Sequence, residues 1–566
     1  MSRLTPLVGL LLVAAVVAGC SPGSASRAGE PSPSSPLSVT GDPRQVAARI
    51  AADLPDEDLV GQMLMPFAYG DHATKVADSA AAANREAYGV PTPAEVVRRY
   101  RLGGVILVRR SDDGTDTTNP TSNVRTPEQV RRLAGGLQDA AGKLRAAGRV
   151  KGGLPLLVGT DQEYGVVTRI RDGMTLLPTA MGLGAGSDPE ATESAWAMAG
   201  SELSAVGVNV DFAPDADVIG ESGNHVIGSR SYGTGADAVS RHVAAAVRGL
   251  QGAGVAATLK HFPGHGHTST DSHTALPSLA YSRKALERGD LPPFAAGIAE
   301  DAQLVMPGHL DVRAVDPGVP ATFSKKVLTG LLRDELGFDG VIVSDAMNME
   351  PAQAWPPGEA AVRAVLAGND ILLMPPDLEA AQRGLLDAMT SGRLSREHVV
   401  RSVTRILTLK LRLADHRQPP LTSVDSGKHH KVAAKAAEGA VTVLRGRCGG
   451  ALVSRTVRIT GGTPQQRDWL AGALRRHGVK AGDSGDQVHL TGYGDTAADL
   501  ARSADVTVGM DTPYLLAGVR SPTVLAAFGA NGYSMAAVAG VLAGKAKAPG
   551  RSPVPVKGLP ATACDG

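Results

Sequence analysis

A chain of 566 residues is too long for one ordinary hydrophobic core, so it should fold as at least two domains. Its 57 basic and 56 acidic residues nearly balance, so the net charge of the chain does not favour binding to nucleic acid or to an acidic membrane surface. A neutral small molecule or a glycan is the substrate that fits this composition best.

The N-terminus is predicted to be a secretion signal. Arg3 precedes an apolar run at residues 7–18, which gives a charged start, a short apolar core and a small-residue end. The run is too short and wrongly flanked for a membrane-spanning helix. Residues 17–20 resemble a bacterial lipobox, which implies that residues 1–19 are removed and that Cys20 carries a lipid. An ordinary cleaved signal, with an incidental cysteine, is the alternative.

The next segment, residues 20–42, is rich in Ser, Pro and Gly and cannot bury a core, so we expect a tether. On this interpretation the mature chain is exported and lies on the extracytoplasmic side of the cell membrane, held by its lipid anchor.

Residues 43–416 alternate helical patterns with short apolar runs, which is the repeat of a parallel barrel. Most of the runs end in polar residues. We therefore predict a (β/α)₈ barrel with its site at the carboxyl ends of the strands. The eight predicted strands are residues 61–65, 104–108, 155–159, 205–210, 254–259, 302–306, 340–343 and 370–374.

The densest chemistry follows the fifth predicted strand, in the run Lys-His-Phe-Pro-Gly-His-Gly-His that starts at Lys260. Asp271 and His273 end this segment and would lie on one side of an extended chain, because side-chain direction repeats every second residue. The carboxylate can then fix the imidazole tautomer and leave the other ring nitrogen free for proton transfer. We predict that this pair is a general acid/base.

A nucleophile is predicted at Asp345, which follows the apolar run of residues 340–343. Such a run ending in a carboxylate is typical of a buried parallel strand that delivers an acid to the carboxyl edge of a sheet. One carboxylate and one proton donor are the minimum for glycoside hydrolysis through a covalent glycosyl intermediate. Here the donor would be an imidazole instead of the usual second carboxylic acid.

These motifs together resemble glycoside hydrolase family 3, in its β-N-acetylglucosaminidase branch. The resemblance rests on the run that starts at Lys260, on Asp-Ser-His at 271–273 and on Ser-Asp-Ala-Met at 344–347. It implies that Asp345 is the nucleophile and that Asp271 with His273 is the acid/base. The implied activity is a retaining, exo-acting β-N-acetylglucosaminidase that removes terminal β-linked N-acetylglucosamine from peptidoglycan-derived or related glycans.

The resemblance also implies a set of sugar-binding residues at successive strand ends. Asp161 and Arg169 correspond to family residues that hold sugar hydroxyls, and Arg230 to an arginine that faces the sugar. Lys260 and His261 complete the set. Charged groups suit this task because hydroxyls removed from water need replacement hydrogen bonds, and charge-assisted ones are stronger.

The chain departs from the family pattern at two positions. Tyr164 replaces the first glycine of a Gly-Gly pair, and His267 stands where the family commonly has Asp. The first change brings bulk to a place where Gly permits close approach, and the second removes a negative charge. Both bear on which glycan is cut.

A linker is predicted at residues 417–430 and a second domain at residues 431–566. This last segment has βα character at 440–444, 456–460 and 504–508 and resembles the α/β sandwich domain that many family members carry.

Two of the three cysteines, Cys448 and Cys564, fall in this second domain. Export favours a disulfide between them, although spacing alone does not give the distance that a disulfide needs.

No cofactor or metal is predicted, because the histidines form no i, i+4 pair on a convincing helix. The expected partners are N-acetylglucosaminides, including muropeptide fragments, and the membrane through the lipid anchor.

Three alternative functions stay open. A β-glucosidase would take its acid/base from the second domain. A phosphorylase is compatible with an imidazole donor, which does not repel an anionic phosphate acceptor. A glycan-binding lipoprotein would have lost catalysis.

Overall fold

The computed structural model describes residues 41–109, 123–142, 155–220, 224, 226–268, 270, 272 and 275–564. The predicted signal peptide, Cys20, Asp271 and His273 lie outside these residues. None of the described helices is both long enough and apolar enough to cross a membrane.

Within these residues the strands, numbered in chain order, are β1 Leu64–Met65, β2 Gly104–Ile106, β3 Leu157–Thr160, β4 Gln162–Tyr164, β5 Val167–Thr168, β6 Val210–Asp211, β7 Ala256–Phe262, β8 Ser278–Leu279, β9 Leu304–Pro307, β10 Asp311–Val312, β11 Val341–Ile342, β12 Leu372–Leu373, β13 Thr442–Arg445, β14 Thr456–Gly461, β15 Lys480–Ala481, β16 Asp486–Thr491, β17 Val506–Gly509 and β18 Thr523–Ala526.

The α-helices, numbered likewise, are α1 Pro43–Asp53, α2 Asp56–Gln62, α3 Asp78–Tyr88, α4 Pro93–Tyr100, α5 Pro127–Gly142, α6 Ala180–Gly186, α7 Pro189–Ala205, α8 Ala236–Gly252, α9 Arg283–Gly289, α10 Leu291–Ala299, α11 Pro357–Ala367, α12 Leu378–Thr390, α13 Arg396–Ala414, α14 Gly427–Ala440, α15 Pro464–Arg476 and α16 Gly532–Leu542. A π-helix, Lys326–Glu335, follows β10, and a short 3₁₀ helix, Gly228–Arg230, follows β6.

Eight parallel strands form the barrel. Six pair in the order β2-β3-β6-β7-β9-β11, and β1 pairs with β12. A bridge between Val343 and Ile371 joins β11 to β12, and the Ile106 amide donates to the Pro66 carbonyl between β1 and β2. The predicted barrel is confirmed. Because its strands are parallel, the residues that follow them meet at one rim.

The first and fourth predicted strands were placed too early. Gly61 and Gln62 end helix α2, whose first turn carries three carboxylates that favour a helix N-terminus. Ala205 ends helix α7, and the chain turns at Gly207, with a left-handed φ of 87°, before its strand starts at Val210. In both places one apolar run covers a helix end and a strand, and periodicity alone does not separate them.

Helix α13 ends the barrel domain and packs against α1 and α2. It carries Lys410 into the core, where this residue is 1% exposed and its Nζ donates to Gln62 Oε1 at 2.6 Å. Burial lowers the pKa of the Lys410 amine to about 7, because the charged form loses its hydration.

We expect Lys410→Met to increase the free energy of unfolding. The amine has a lower pKa in the folded state than its ordinary 10.5. Burial of the protonated amine therefore lowers the free energy of unfolding by its full amount below pH 7. This loss disappears as the pH rises toward the pKa of the amine in the unfolded chain. The gain should be on the order of 1–3 kcal/mol near pH 6 and should shrink steadily toward pH 10, as measured by urea unfolding. The exposed Lys435→Met is the matched control. A gain that does not change with pH would contradict this account.

The second sheet has the order β13-β18-β17-β16-β14-β15, and its neighbours are parallel except for β13 with β18. The strands predicted at 440–444, 456–460 and 504–508 are present as β13, β14 and β17. The predicted α/β domain after the barrel is thereby confirmed. Helix α14 starts at Gly427, inside the predicted linker, and packs against α6 and α7 as well as α16.

The expected disulfide joins Cys448, just after β13, to Cys564. The Cα atoms of the two residues are 5.2 Å apart across a sequence separation of 116 residues.

Candidate active site

The carboxyl ends of β3 and β7 bring opposite charges into contact. Lys260, in β7, is 2% exposed, and its Nζ lies 3.0 Å from Asp161 Oδ1 and 2.6 Å from Glu163 Oε1. Arg169 Nη2 lies 3.3 Å from Asp161 Oδ2. Three of the predicted sugar-binding residues, Asp161, Arg169 and Lys260, are thus brought together directly.

Arg230, at the end of its 3₁₀ helix, joins this cluster through Glu163. Its Nε and Nη2 donate to the two carboxylate oxygens of Glu163 at 2.6 and 3.0 Å, which is a bidentate pair. Glu163 was missed as a site residue. Its position two residues after Asp161, on the same side of an extended segment, is a signal that could have found it.

The cations keep these buried carboxyl groups ionised. Burial raises the pKa of Asp161, but Lys260 and Arg169 more than reverse this, and the net pKa lies below its usual value. Burial likewise opposes ionisation of Glu163, yet Arg230 and Lys260 lower its pKa to about 2. Because charged donors and acceptors are fixed side by side, the cluster can offer strong hydrogen bonds to hydroxyl groups.

A second group of carboxylates follows β6. Asp217 Oδ2 lies 2.8 Å from His261 Nδ1, and Asp217 Oδ1 accepts from the backbone amides of His261 and His265 at 3.2 and 2.6 Å. Burial would raise the pKa of Asp217, but the two histidines lower it to about 2. Burial and the neighbouring Asp217 raise the pKa of Asp215 well above its usual value. Asp215 and Asp217 were not among the predicted site residues, although their alternation after a strand and a proline is visible in the sequence.

Asp215, Asp217 and His261 are also the described residues that could hold a metal ion, since one ligand atom from each lies within 4.8 Å of the others. However, Arg230 Nη2 lies 3.8 Å from Asp215 Oδ2 and 3.3 Å from His261 Nε2. A fixed guanidinium at this distance repels a second cation. The donor set therefore fits a hydroxylated ligand better than a metal ion.

Strand β11 carries Asp345 to the same rim. The Ala346 amide donates to Asp345 Oδ1 at 2.7 Å, and the Ser344 hydroxyl accepts from the Leu373 amide at 3.0 Å. His309, after β9, lies with Nε2 3.1 Å from the Ala346 carbonyl oxygen. The half-buried Asp345 thus sits in a turn that is fixed by the neighbouring strand ends.

The two departures from the family pattern have different surroundings. Tyr164 has a φ of 68°, in the left-handed region that favours glycine, and the residue is 2% exposed. It packs edge-on against Trp196, with ring centroids 6.0 Å apart, so its bulk is taken up by the core. His267 is one-third exposed, and its Nδ1 lies 2.8 Å from Asp290 Oδ1.

The C-terminal domain touches the segment that holds Arg230. The Ser229 hydroxyl donates to Asp511, which follows β17. The Thr179 amide and hydroxyl both donate to the Phe528 carbonyl at 2.9 Å. The carboxyl edge of the second sheet therefore supports the barrel rim next to the charged cluster.

A (β/α)₈ barrel with paired charges at the carboxyl ends of its strands is the architecture of an enzyme, because the active sites of such barrels form at that face. Residues 59–409 match the model of the Glycosyl hydrolase family 3 N terminal domain. The chain belongs to glycosyl hydrolase family 3.

Several relatives agree with this family. Beta-hexosaminidase A of Pseudoalteromonas piscicida is 33% identical over 385 residues, which are 63% of this chain and 61% of that protein, so the chain spans about three-fifths of its length. Beta-hexosaminidase of Alkalilimnicola ehrlichii is 38% identical over 311 residues, which are 53% of this chain and 82% of that protein.

A solved structure shows the same fold over both domains. A glycoside hydrolase family 3 beta-N-acetylglucosaminidase from Paenibacillus sp. str. FPU-7 aligns with a TM-score of 0.76 and 32% identity, covering 89% of this chain and 99% of that one. The predicted family and fold class are confirmed.

Proposed function

We propose that this protein is a retaining, exo-acting β-N-acetylglucosaminidase that removes terminal β-linked N-acetylglucosamine from peptidoglycan-derived or related glycans. The observation that carries the proposal is the buried, ion-paired cluster of Asp161, Glu163, Arg230 and Lys260 at the barrel rim to which β11 also brings Asp345. The names of the relatives, β-hexosaminidases and a β-N-acetylglucosaminidase, support this specificity.

The charge balance of the rim supports a neutral sugar as ligand. Three carboxyl groups of the rim have pKa values below the usual range and are therefore ionised: Asp161, Glu163 and Asp217. Their charge is balanced by three cations: Arg169, Arg230 and Lys260. The cluster therefore presents many fixed donors and acceptors with little net charge. Such a surface replaces the water around sugar hydroxyls without attracting a charged ligand.

The proposed reaction has two steps. Asp345 attacks the anomeric carbon while His273, protonated and oriented by Asp271, donates a proton to the leaving oxygen. The same imidazole then takes a proton from water, which attacks the glycosyl ester and frees Asp345. Two inversions at the anomeric carbon give a product of retained configuration.

We also propose that the mature chain begins at the lipidated Cys20 and acts outside the cytoplasm. The lipobox-like residues 17–20 and the disulfide between Cys448 and Cys564 support this, because disulfides persist in oxidising compartments. Labelling cells with a radioactive fatty acid tests the anchor: label in the wild-type chain and none in Cys20→Ala is the expected result, and equal label in both excludes it.

Release of nitrophenol from its β-N-acetylglucosaminide and from its β-glucoside, each with and without phosphate, tests the main proposal. We expect cleavage of the acetylglucosaminide in phosphate-free buffer, with the β-anomer of the free sugar formed first. A preference for the glucoside contradicts the specificity, and dependence on phosphate identifies a phosphorylase. Absence of turnover in all four reactions contradicts the catalytic proposal and favours the non-catalytic alternative.

Asp511 offers a test of the β-glucosidase alternative, in which the acid/base comes from the second domain. It lies beside Ser229, and burial raises the pKa of its carboxyl group. We expect Asp511→Asn to keep kcat/KM within about tenfold, roughly 1.4 kcal/mol, because the amide oxygen still accepts from Ser229. Asp505→Asn, at the opposite end of β17, is the control. A loss of several orders of magnitude in a folded Asp511→Asn protein would favour the β-glucosidase arrangement.

A further inference from the structure

His265 is a buried histidine for which the proposed reaction has no use. It lies in the loop that follows β7 and is 1% exposed. Burial and the neighbouring His261 lower the pKa of its imidazole to about 4. At neutral pH the ring is therefore uncharged, so one of its nitrogens donates a hydrogen bond and the other accepts one.

The partners of the ring determine which nitrogen carries the proton. The Thr268 hydroxyl donates its single proton to the His265 carbonyl at 2.9 Å. The same hydroxyl oxygen lies 2.7 Å from His265 Nδ1, and with its proton on the carbonyl it accepts there from a protonated Nδ1. Nε2 is then an acceptor. The Ser272 hydroxyl, 3.0 Å from Nε2, must donate to it.

The backbone of His265 is tied to the segment that follows β6. Its amide donates to Asp217 Oδ1 at 2.6 Å, and its carbonyl accepts from Asn224 Nδ2 at 2.9 Å. Asp217 also holds His261, one of the predicted sugar-binding residues, at 2.8 Å. His265 thus connects the sugar-binding side of the rim with Ser272.

Ser272 lies in the sequence between Asp271 and His273 and is 3% exposed. We infer that His265, acting through the Ser272 hydroxyl, positions the loop that carries the acid/base pair. A hydrogen bond that fixes the Ser272 side chain also restricts the backbone on either side of it, because Ser272 is bonded to both Asp271 and His273 in the sequence. Neither His265 nor Ser272 needs to touch the substrate, so both are positioning residues. The inference rests on the proposed function, because it takes His273 as the proton donor.

Removing the Ser272 hydroxyl tests this inference. The kcat and KM of Ser272→Ala and Ser272→Thr are measured on the phenyl and the 2,4-dinitrophenyl β-N-acetylglucosaminides. The first leaving group needs a proton and the second needs almost none. For Ser272→Ala we expect kcat on the phenyl substrate to fall about tenfold or more, against less than about threefold on the dinitrophenyl one, with KM nearly unchanged. Ser272→Thr keeps the hydroxyl and should restore most of the rate. Ser240→Ala, which removes a hydroxyl bonded within helix α8, is the control.

The outcomes separate this inference from the proposed function. Equal losses on both substrates, or no loss, in folded Ser272→Ala would overturn the positioning role. If His273→Ala, measured in parallel, shows no dependence on the leaving group, the acid/base assignment fails and the inference falls with it. If only His273→Ala shows the dependence, the inference alone fails. His265→Phe keeps a ring but lacks the Nε2 acceptor, and it should repeat the Ser272→Ala pattern; thermal unfolding confirms that each variant is folded.

Discussion

Asp345→Asn should remove nearly all turnover, by about a thousandfold or more, while the protein keeps its fold. The amide cannot form the glycosyl ester, but its oxygen still accepts from the Ala346 amide, so the turn after β11 should persist. Steady-state kinetics on the nitrophenyl acetylglucosaminide measure the loss, and circular dichroism with thermal unfolding checks the fold.

Asp339→Asn is the matched control for this prediction. Asp339 is exposed at the opposite end of β11 and pairs with Arg44, an ion pair of the surface kind that contributes little to stability. This variant should turn over at the wild-type rate. Normal turnover by a folded Asp345→Asn protein would remove Asp345 from the role of nucleophile.

His273→Ala should slow substrates with poor leaving groups by about a hundredfold or more, and activated aryl glycosides much less. The difference arises because departure of a basic alcohol needs a proton, whereas a dinitrophenolate leaves without one. The slope of log kcat against the pKa of the leaving group measures the effect.

His267→Ala is the control for this second prediction. It removes another imidazole of the sequence segment that follows β7, one that bonds to Asp290. It should change the rates on all leaving groups alike. Parallel slopes for His273→Ala and the wild type would place His273 outside the acid/base role.

The barrel was predictable because each of its strands is a short apolar run in a regular alternation with helices. The run at 254–259 became β7, and the carboxylates and cations after several runs met at one rim, as parallel strands require. The errors at Gly61 and Ala205 have a common cause, because buried helix ends and buried strands have the same apolar composition.

The sequence predicted which residues belong to the site better than it predicted which of them contact each other. Glu163 pairs with Arg230 across 67 residues, and Ser229 bonds to Asp511 across 282. Periodicity shows which side of an element a residue occupies but not which distant side chain it meets. The positions Asp161, Arg169, Arg230, Lys260 and His261 do lie in one contact network, while their roles toward a sugar stay predictions.

The bond between Cys448 and Cys564 turns most of the second domain into a covalent ring. It joins the end of the first strand of that domain to the last described residue, so strands β14 to β18 with helices α15 and α16 all lie inside the loop. A protease that cuts one exposed turn in this ring opens it without releasing a fragment. The nicked chain would still migrate as one species until a reductant separates the two pieces, and the sheet next to the barrel rim would keep all its strands after such a cut.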